Sequence, residues 1–93
     1  MAKPLDKNGK LWYYMVSKER IRGWLEEGLL LGAAHVLVFE GLSWPEYVYD
    51  YEDPKEIMEN KMALNSELRI LEVYNLKMDI EYQLLEKRAW HIG

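Results

Sequence analysis

Leu64, Leu68, Leu71, Asn75, Met78, Tyr82, Leu85, Ala89 and Ile92 follow one another at alternating intervals of four and three. That is the period of a helical seam. Ile70, Val73, Leu76, Ile80 and Leu84 form a second apolar set on the far side of the same helix, with Glu72, Asp79 and Glu86 between the two. The spacing predicts one long C-terminal helix over 65–91. A helix that is apolar on two faces must bury both, and a chain of 93 residues offers little to cover the second. A small sheet can take one face, and a second copy of the chain is the simplest cover for the other. Leaving that face in water would forgo several kcal/mol at about 25 cal/mol per Å², comparable with the stability of a small domain. Leu68, Leu71, Asn75, Met78, Tyr82 and Leu85 are therefore expected at a homo-oligomer interface. Asn75 is the one polar break in the seam: it could fix register against its symmetry mate, and the alternative is an Asn bonded to backbone or water within its own subunit, or a break in the helix there.

The rest of the chain reads as one α+β domain spanning 1–93. Residues 1–10 hold Pro4 and the turn signal Asn8-Gly9 and read as a flexible arm. Residues 10–16, rich in aromatic side chains, read as a strand. Ser17 is a natural N-cap for a helix over 18–31, in which Ile21, Trp24, Leu25 and Leu29 share a stripe and after which Gly32 is a stop. Residues 35–40 are apolar at their centre, as in a strand covered on both faces. Tyr47 to Tyr51 alternate, predicting a half-exposed strand paired antiparallel with 35–40. Asp53-Pro54-Lys55-Glu56 starts another helix, to about 62: Asp53 caps, and Pro54 takes the first helical position, where its missing N–H costs nothing. The expected order is β-α-β-β-α-α, a small sheet of two or three strands packed by helices. The helical crossover would set the first strand parallel to the second.

Composition narrows the function. There are no cysteines, which excludes disulfides, thiolate chemistry and cysteine-based zinc sites and makes the cytoplasm the expected compartment. The net charge of −4 argues against broad binding to nucleic-acid backbones. The longest apolar stretch, 28–39, is interrupted by Gly32 and His35 and is too short for a bilayer span of about 20 residues. The first residues lack the apolar core of a signal peptide.

Two surfaces are candidates for ligand binding. Trp44, Tyr47, Tyr49 and Tyr51 resemble an aromatic platform able to stack a base, although tyrosines so arranged more often pack. Lys18, Arg20 and Arg22 crowd a helix N-terminus, where positive charge opposes the dipole but backbone N–H groups also point at anions. Together they could hold a small phosphate-bearing ligand. His91 with Lys87 and Arg88 suits the end of the last helix. The two histidines, His35 and His91, lack ligand spacing, so neither a metal nor another cofactor is expected and no catalytic residue is assigned. A small hydrolase or nuclease would have to use His35 or His91 with Asp50 or Glu40.

Three stretches carry a resemblance: Glu27 to Val38, Trp44 to Tyr49, and Leu71 to Leu76 continued by Glu86-Lys87-Arg88-Ala89-Trp90-His91. Over residues 17–92 the chain resembles a group of short bacterial and phage proteins with no assigned activity. The resemblance carries no functional residue. It implies an accessory role: an inhibitor, an adaptor or a ligand-sequestering protein, with Arg88 and His91 the part to test first. The expectation is a non-catalytic, homo-oligomeric binding protein acting on a small anionic ligand or a partner protein. The alternatives are the hydrolase and a structural assembly subunit.

Overall fold

The computed structural model describes residues 16–93. The arm at 1–10 and the strand expected over 10–16 fall outside these residues, apart from Val16, which belongs to no strand. The described elements run α1 (Lys18–Leu31), β1 (His35–Glu40), β2 (Glu46–Val48), α2 (Pro54–Leu64), β3 (Arg69–Asn75) and α3 (Ile80–Leu85). The strands form one antiparallel sheet in the order β2-β1-β3.

Local chemistry sets the ends of α1. The Ser17 side chain accepts from the Arg20 amide at 3.2 Å, and Gly32 closes the helix in the left-handed region at φ 80°. The Ala33 amide then donates to the Gly28 carbonyl at 2.9 Å, which completes a Schellman-type stop. Asp53 caps α2 by accepting from the Lys55 amide at 3.0 Å, with Pro54 in the first turn as expected.

The central strand β1 is buried on both faces. Val36 and Val38, with Tyr74 and Leu76, join Ile21 and Leu25 of α1 and Leu84 of α3 in one apolar cluster. Leu37 and Phe39, with Val48 and Val73, join Met58 of α2 and Leu68 in the other. Helices thus cover the sheet on both sides. Gly28 lets α1 approach: a Cβ there would sit 2.8 Å from Leu76 Cδ1 and 3.2 Å from Tyr47 Cε1.

Two expectations are corrected. The first is the long helix over 65–91, which is instead a strand, a turn and a helix of 6 residues. Asn65, Asn75 and Asp79 each accept a backbone N–H from two residues on, at 3.0, 2.9 and 2.9 Å. The bonds at Asn65 and Asn75 compete with helical ones and break the segment, and the bond at Asp79 caps the start of α3. Between the two breaks, Ile70, Val73 and Tyr74 are β-branched or aromatic and pair with β1. The third strand of the sheet therefore comes from this segment, and the described order is α-β-β-α-β-α. The seam disperses with the helix. Leu68 is buried, Leu71 lies at the edge of a core, Asn75 turns the chain, and Met78, Tyr82 and Leu85 are exposed. These six residues share no single face, so the two-stripe argument for an interface falls.

The second correction is the strand over 47–51, which ends at Val48. The Tyr49 amide donates to the Glu52 carboxylate and the Glu52 amide to the Tyr49 carbonyl, both at 3.0 Å. That pair of bonds turns the chain before Tyr51 can join a strand.

Candidate functional site

β3 carries a bulge. Val38 faces Glu72 and Phe39 faces Ile70, which leaves Leu71 as the extra residue. Leu71 consequently turns to the α1 side, next to Glu72. The Arg88 side chain closes the outer edge of the bulge: Nε donates to the Leu71 carbonyl at 2.6 Å and Nη2 to the Ile70 carbonyl at 3.4 Å. Its guanidinium also lies 4.8 Å from the Trp90 ring centroid. Beyond it, the Val73 amide donates to the Ala89 carbonyl and the His91 amide to the Val73 carbonyl, both at 3.0 Å, a single parallel bridge on the edge of β3.

Between this edge and the first turn of α1 lies a cleft of about 380 Å³. Its walls are Val16, Ile21, Val38 and Leu71, and its polar groups are Lys18, Glu72, Lys87 and Arg88. The volume falls in the lower part of the range for small-molecule sites, roughly 300–1,000 Å³.

A buried network forms one end of the cleft. Lys18 Nζ donates to Glu72 Oε2 at 2.8 Å and to the Tyr74 hydroxyl at 2.9 Å. The Tyr74 hydroxyl in turn donates to Glu72 Oε1 at 2.5 Å. Glu72 is 5% exposed and Tyr74 is fully buried. Burial, and then the bond to Glu72 and its charge, push the Tyr74 phenol far above its ordinary range. The hydroxyl is thereby locked as a donor. A buried carboxylate is tolerated when paired and hydrogen-bonded, and Glu72 is both. Lys18 offsets the charge of Glu72, so the cleft as a whole carries the positive charge of Lys87 and Arg88. Among the described residues, none of its lining side chains is a hydroxyl or imidazole nucleophile.

The structure separates most of the residues singled out in the sequence. Lys18 and Arg88, from the two ends of the described chain, both line the cleft. Arg20 lies 5.9 Å from the Trp24 ring centroid. Arg22 pairs with Glu81, the second of its two bonds at 3.0 Å, and that bond holds the Glu81 carboxyl below its ordinary range. The aromatic group sits towards the other end of α1. Tyr47 packs beside Gly28 and donates to the Trp24 carbonyl at 3.3 Å. Tyr49 and Tyr51 stack at 5.9 Å between centroids and 8° between planes, with Tyr51 85% exposed and Trp44 58%. The helix span from Lys18 to Gly28 is about 15 Å at 1.5 Å per residue, so Lys18 stands apart from Tyr47.

His91 Nε2 pairs with Glu86 Oε1 at 2.6 Å, and Asp50 Oδ1 with Lys77 at 2.7 Å. Glu40 faces Arg69 at the end of the β1–β3 ladder. His35 has both ring nitrogens shielded from solvent and, among the described residues, without a hydrogen-bond partner. Burial lowers its pKa, with Lys77 adding to the shift and Asp50 opposing it. A base needs an orienting hydrogen bond and reach to a substrate, and His35 has no such bond. Among the described residues, no group of three or more His, Asp or Glu could hold a metal ion.

Sequence reasoning passed over Glu72, Tyr74 and Lys87. The signal for the first was present: a single acid inside the apolar run Ile70-Leu71-Glu72-Val73-Tyr74. Read as a strand, that run places the acid against a core, where it needs a cation. Among the described residues no helix is long and apolar enough to cross a membrane. Comparison of the chain with protein-family models, with curated proteins and with solved structures finds no match in any of the three.

Proposed function

We propose that the chain is a non-catalytic binding protein and that the cleft between α1, the β3 bulge and Lys87-Arg88 takes a small anion with an apolar body. One observation carries this reading: an apolar-walled space of about 380 Å³ is edged by Lys87 and Arg88, while its one carboxylate is already engaged by Lys18 and Tyr74. Arg88 is held by two carbonyls and a Trp ring, so little side-chain entropy is lost when it meets an anion. Calorimetry with phenylpropionate, octanoate and phenyl phosphate tests the reading. A ligand of this size should bind with a Kd on the order of 0.1 mM, and Lys87→Glu should weaken it about tenfold, equivalent to roughly 1.4 kcal/mol. Equal binding of neutral phenylpropanol would contradict the role of the charged edge.

A second reading rests on what the fold leaves outside. Leu30, Leu64 and Leu85 are 89%, 89% and 87% exposed. Large apolar side chains in water are what a protein contact uses, and a second copy is the simplest partner. Sedimentation over a range of concentrations, repeated with Leu30→Glu and Leu85→Glu, separates this reading from the first. A monomer at every concentration would remove it.

A further inference from the structure

We infer that Tyr51 and the carboxylates on either side of it dock an arginine side chain from a basic segment of a partner protein. The inference concerns a surface of its own and does not depend on the cleft. The stretch Tyr49-Asp50-Tyr51-Glu52-Asp53 sets three acids around two tyrosines. Its backbone is pinned into a turn, the Tyr49 amide donating to the Glu52 carboxylate and the Glu52 amide to the Tyr49 carbonyl. Tyr49 packs against the apolar cluster under α1, and the Tyr51 ring lies nearly parallel to it. Tyr51 is thus held in one orientation while 85% exposed, which leaves little ordering for a partner to impose. The charge around the ring is negative. Glu52 accepts from the Tyr49 amide and Asp53 Oδ1 from the Lys55 amide. Both donors are backbone groups without formal charge, so these bonds leave the two carboxylates ionic. Asp50 pairs with Lys77, but the two side chains are 67% and 68% exposed, where solvent screens most of the attraction. Over 46–56 five acids stand against one base, Lys55, and the two lysines that pair into this stretch, Lys61 and Lys77, still leave the acids in excess by two. An aromatic face beside carboxylates attracts a cation through the ring quadrupole and through the charge together. Of the cations a protein offers, guanidinium fits best: it is planar, stacks on a ring and can present its N–H edge to a carboxylate in the same pose. The chain already pairs such groups, Arg20 with Trp24 at 5.9 Å and Arg88 with Trp90 at 4.8 Å. An ammonium is more strongly hydrated and meets a carboxylate only as a point charge.

The test is amide NMR on the full chain at low salt, titrated with the peptide acetyl-Gly-Arg-Gly-Arg-Gly-amide and with its lysine and citrulline counterparts. The arginine peptide should give saturable shifts centred on Asp50 to Asp53 and bind more tightly than the lysine peptide. Citrulline, nearly isosteric with arginine but uncharged, should give none. Tyr51→Ala should weaken the arginine peptide about two- to fivefold, the range of an exposed cation–π pair, and Tyr51→Phe, which keeps the ring, should bind as the unmodified chain does. Equal binding by Tyr51→Ala, shifts that gather elsewhere on the chain, or no saturable shift would overturn the inference. Equal binding of the lysine peptide would overturn the choice of arginine, and equal binding of the citrulline peptide would overturn the role of charge. Shifts at Asp50 to Asp53 that appear with rising protein concentration alone would make a second copy the occupant instead. Phenylpropionate binding reports on the cleft separately, so either reading can fail without the other.

Discussion

Glu72 and Tyr74 are the least expected residues of this core, since a carboxylate and a phenol are buried together beside an ammonium. Breaking such a network is costly because the remaining polar groups stay in the core. Tyr74→Phe should lower stability by about 1–3 kcal/mol in urea melts, and an unchanged midpoint would mean that the network is not formed. The pH dependence has a definite sign. The folded chain holds the Tyr74 phenol protonated well above pH 10, whereas the unfolded chain releases that proton near pH 10. Stability from this group is complete below pH 10 and declines as pH rises beyond it; Tyr74→Phe should lose that alkaline slope. His35 works in the opposite direction. Its folded pKa is lowered from 6.5, so the unfolded chain takes up protons first and stability falls as pH drops below about 6.5. Thermal melts of His35→Phe should lack that acidic slope, and an unchanged slope would assign it to other groups. At this scale the sequence was legible where the chemistry is local. Ser17, Gly32, Asp53 and Pro54 act within a few residues of their own backbone and behave as expected. Glu72 was not legible in the same way, because Lys18, 54 positions away, makes its burial tolerable.

The segment from Leu64 to Ile92 shows how periodicity misleads at the scale of an element. Intervals of four and three fit a helix, yet Ile70 to Tyr74 read alone are a short, mostly β-branched and aromatic apolar run of the kind found in a buried strand. Turn-forming side chains decided between them. Asn65, Asn75 and Asp79 bond their own backbone, and Gln83 anchors the turn after β3. Its Oε1 accepts from the Asn75 amide and its Nε2 donates to the Asn75 carbonyl, each at 2.8 Å. Within one helical seam, Leu68 and Leu85 would be equivalent. Here they differ, at 8% and 87% exposed. Leu68→Ala should cost about 2–4 kcal/mol and Leu85→Ala less than about 0.5 kcal/mol in the isolated chain. Equal costs in chemical denaturation would restore the long helix. The strand at 35–40 and both earlier helices are readable because their caps and apolar patterns agree; the alternation over 47–51 and the seam in the last third mislead because local side-chain bonds turn the chain there.

In the whole molecule, a sheet with helices on both faces accounts for much of the apolar content that had seemed to require a second subunit. Val73, Leu76, Leu84 and Ala89, which the heptad spacing places on stripes of a rod, are buried in the described fold. Close packing of α1 on the sheet depends on Gly28. A methyl group there meets Leu76 and Tyr47 at less than ordinary contact distance. Gly28→Ala should destabilise by about 1–2 kcal/mol, overpacking outweighing the gain in helix propensity; a stabilised variant would show α1 standing further from the sheet. The same packing brings Lys18 to Glu72 and sets the β3 bulge, held by Arg88, at the mouth of the cleft. Amide NMR of the full chain titrated with phenylpropionate tests this account most directly. Saturable shifts should gather at Lys18, Ile21, Leu71, Glu72, Lys87 and Arg88. Shifts confined to Tyr47 through Tyr51, or no shift at millimolar ligand, would contradict it.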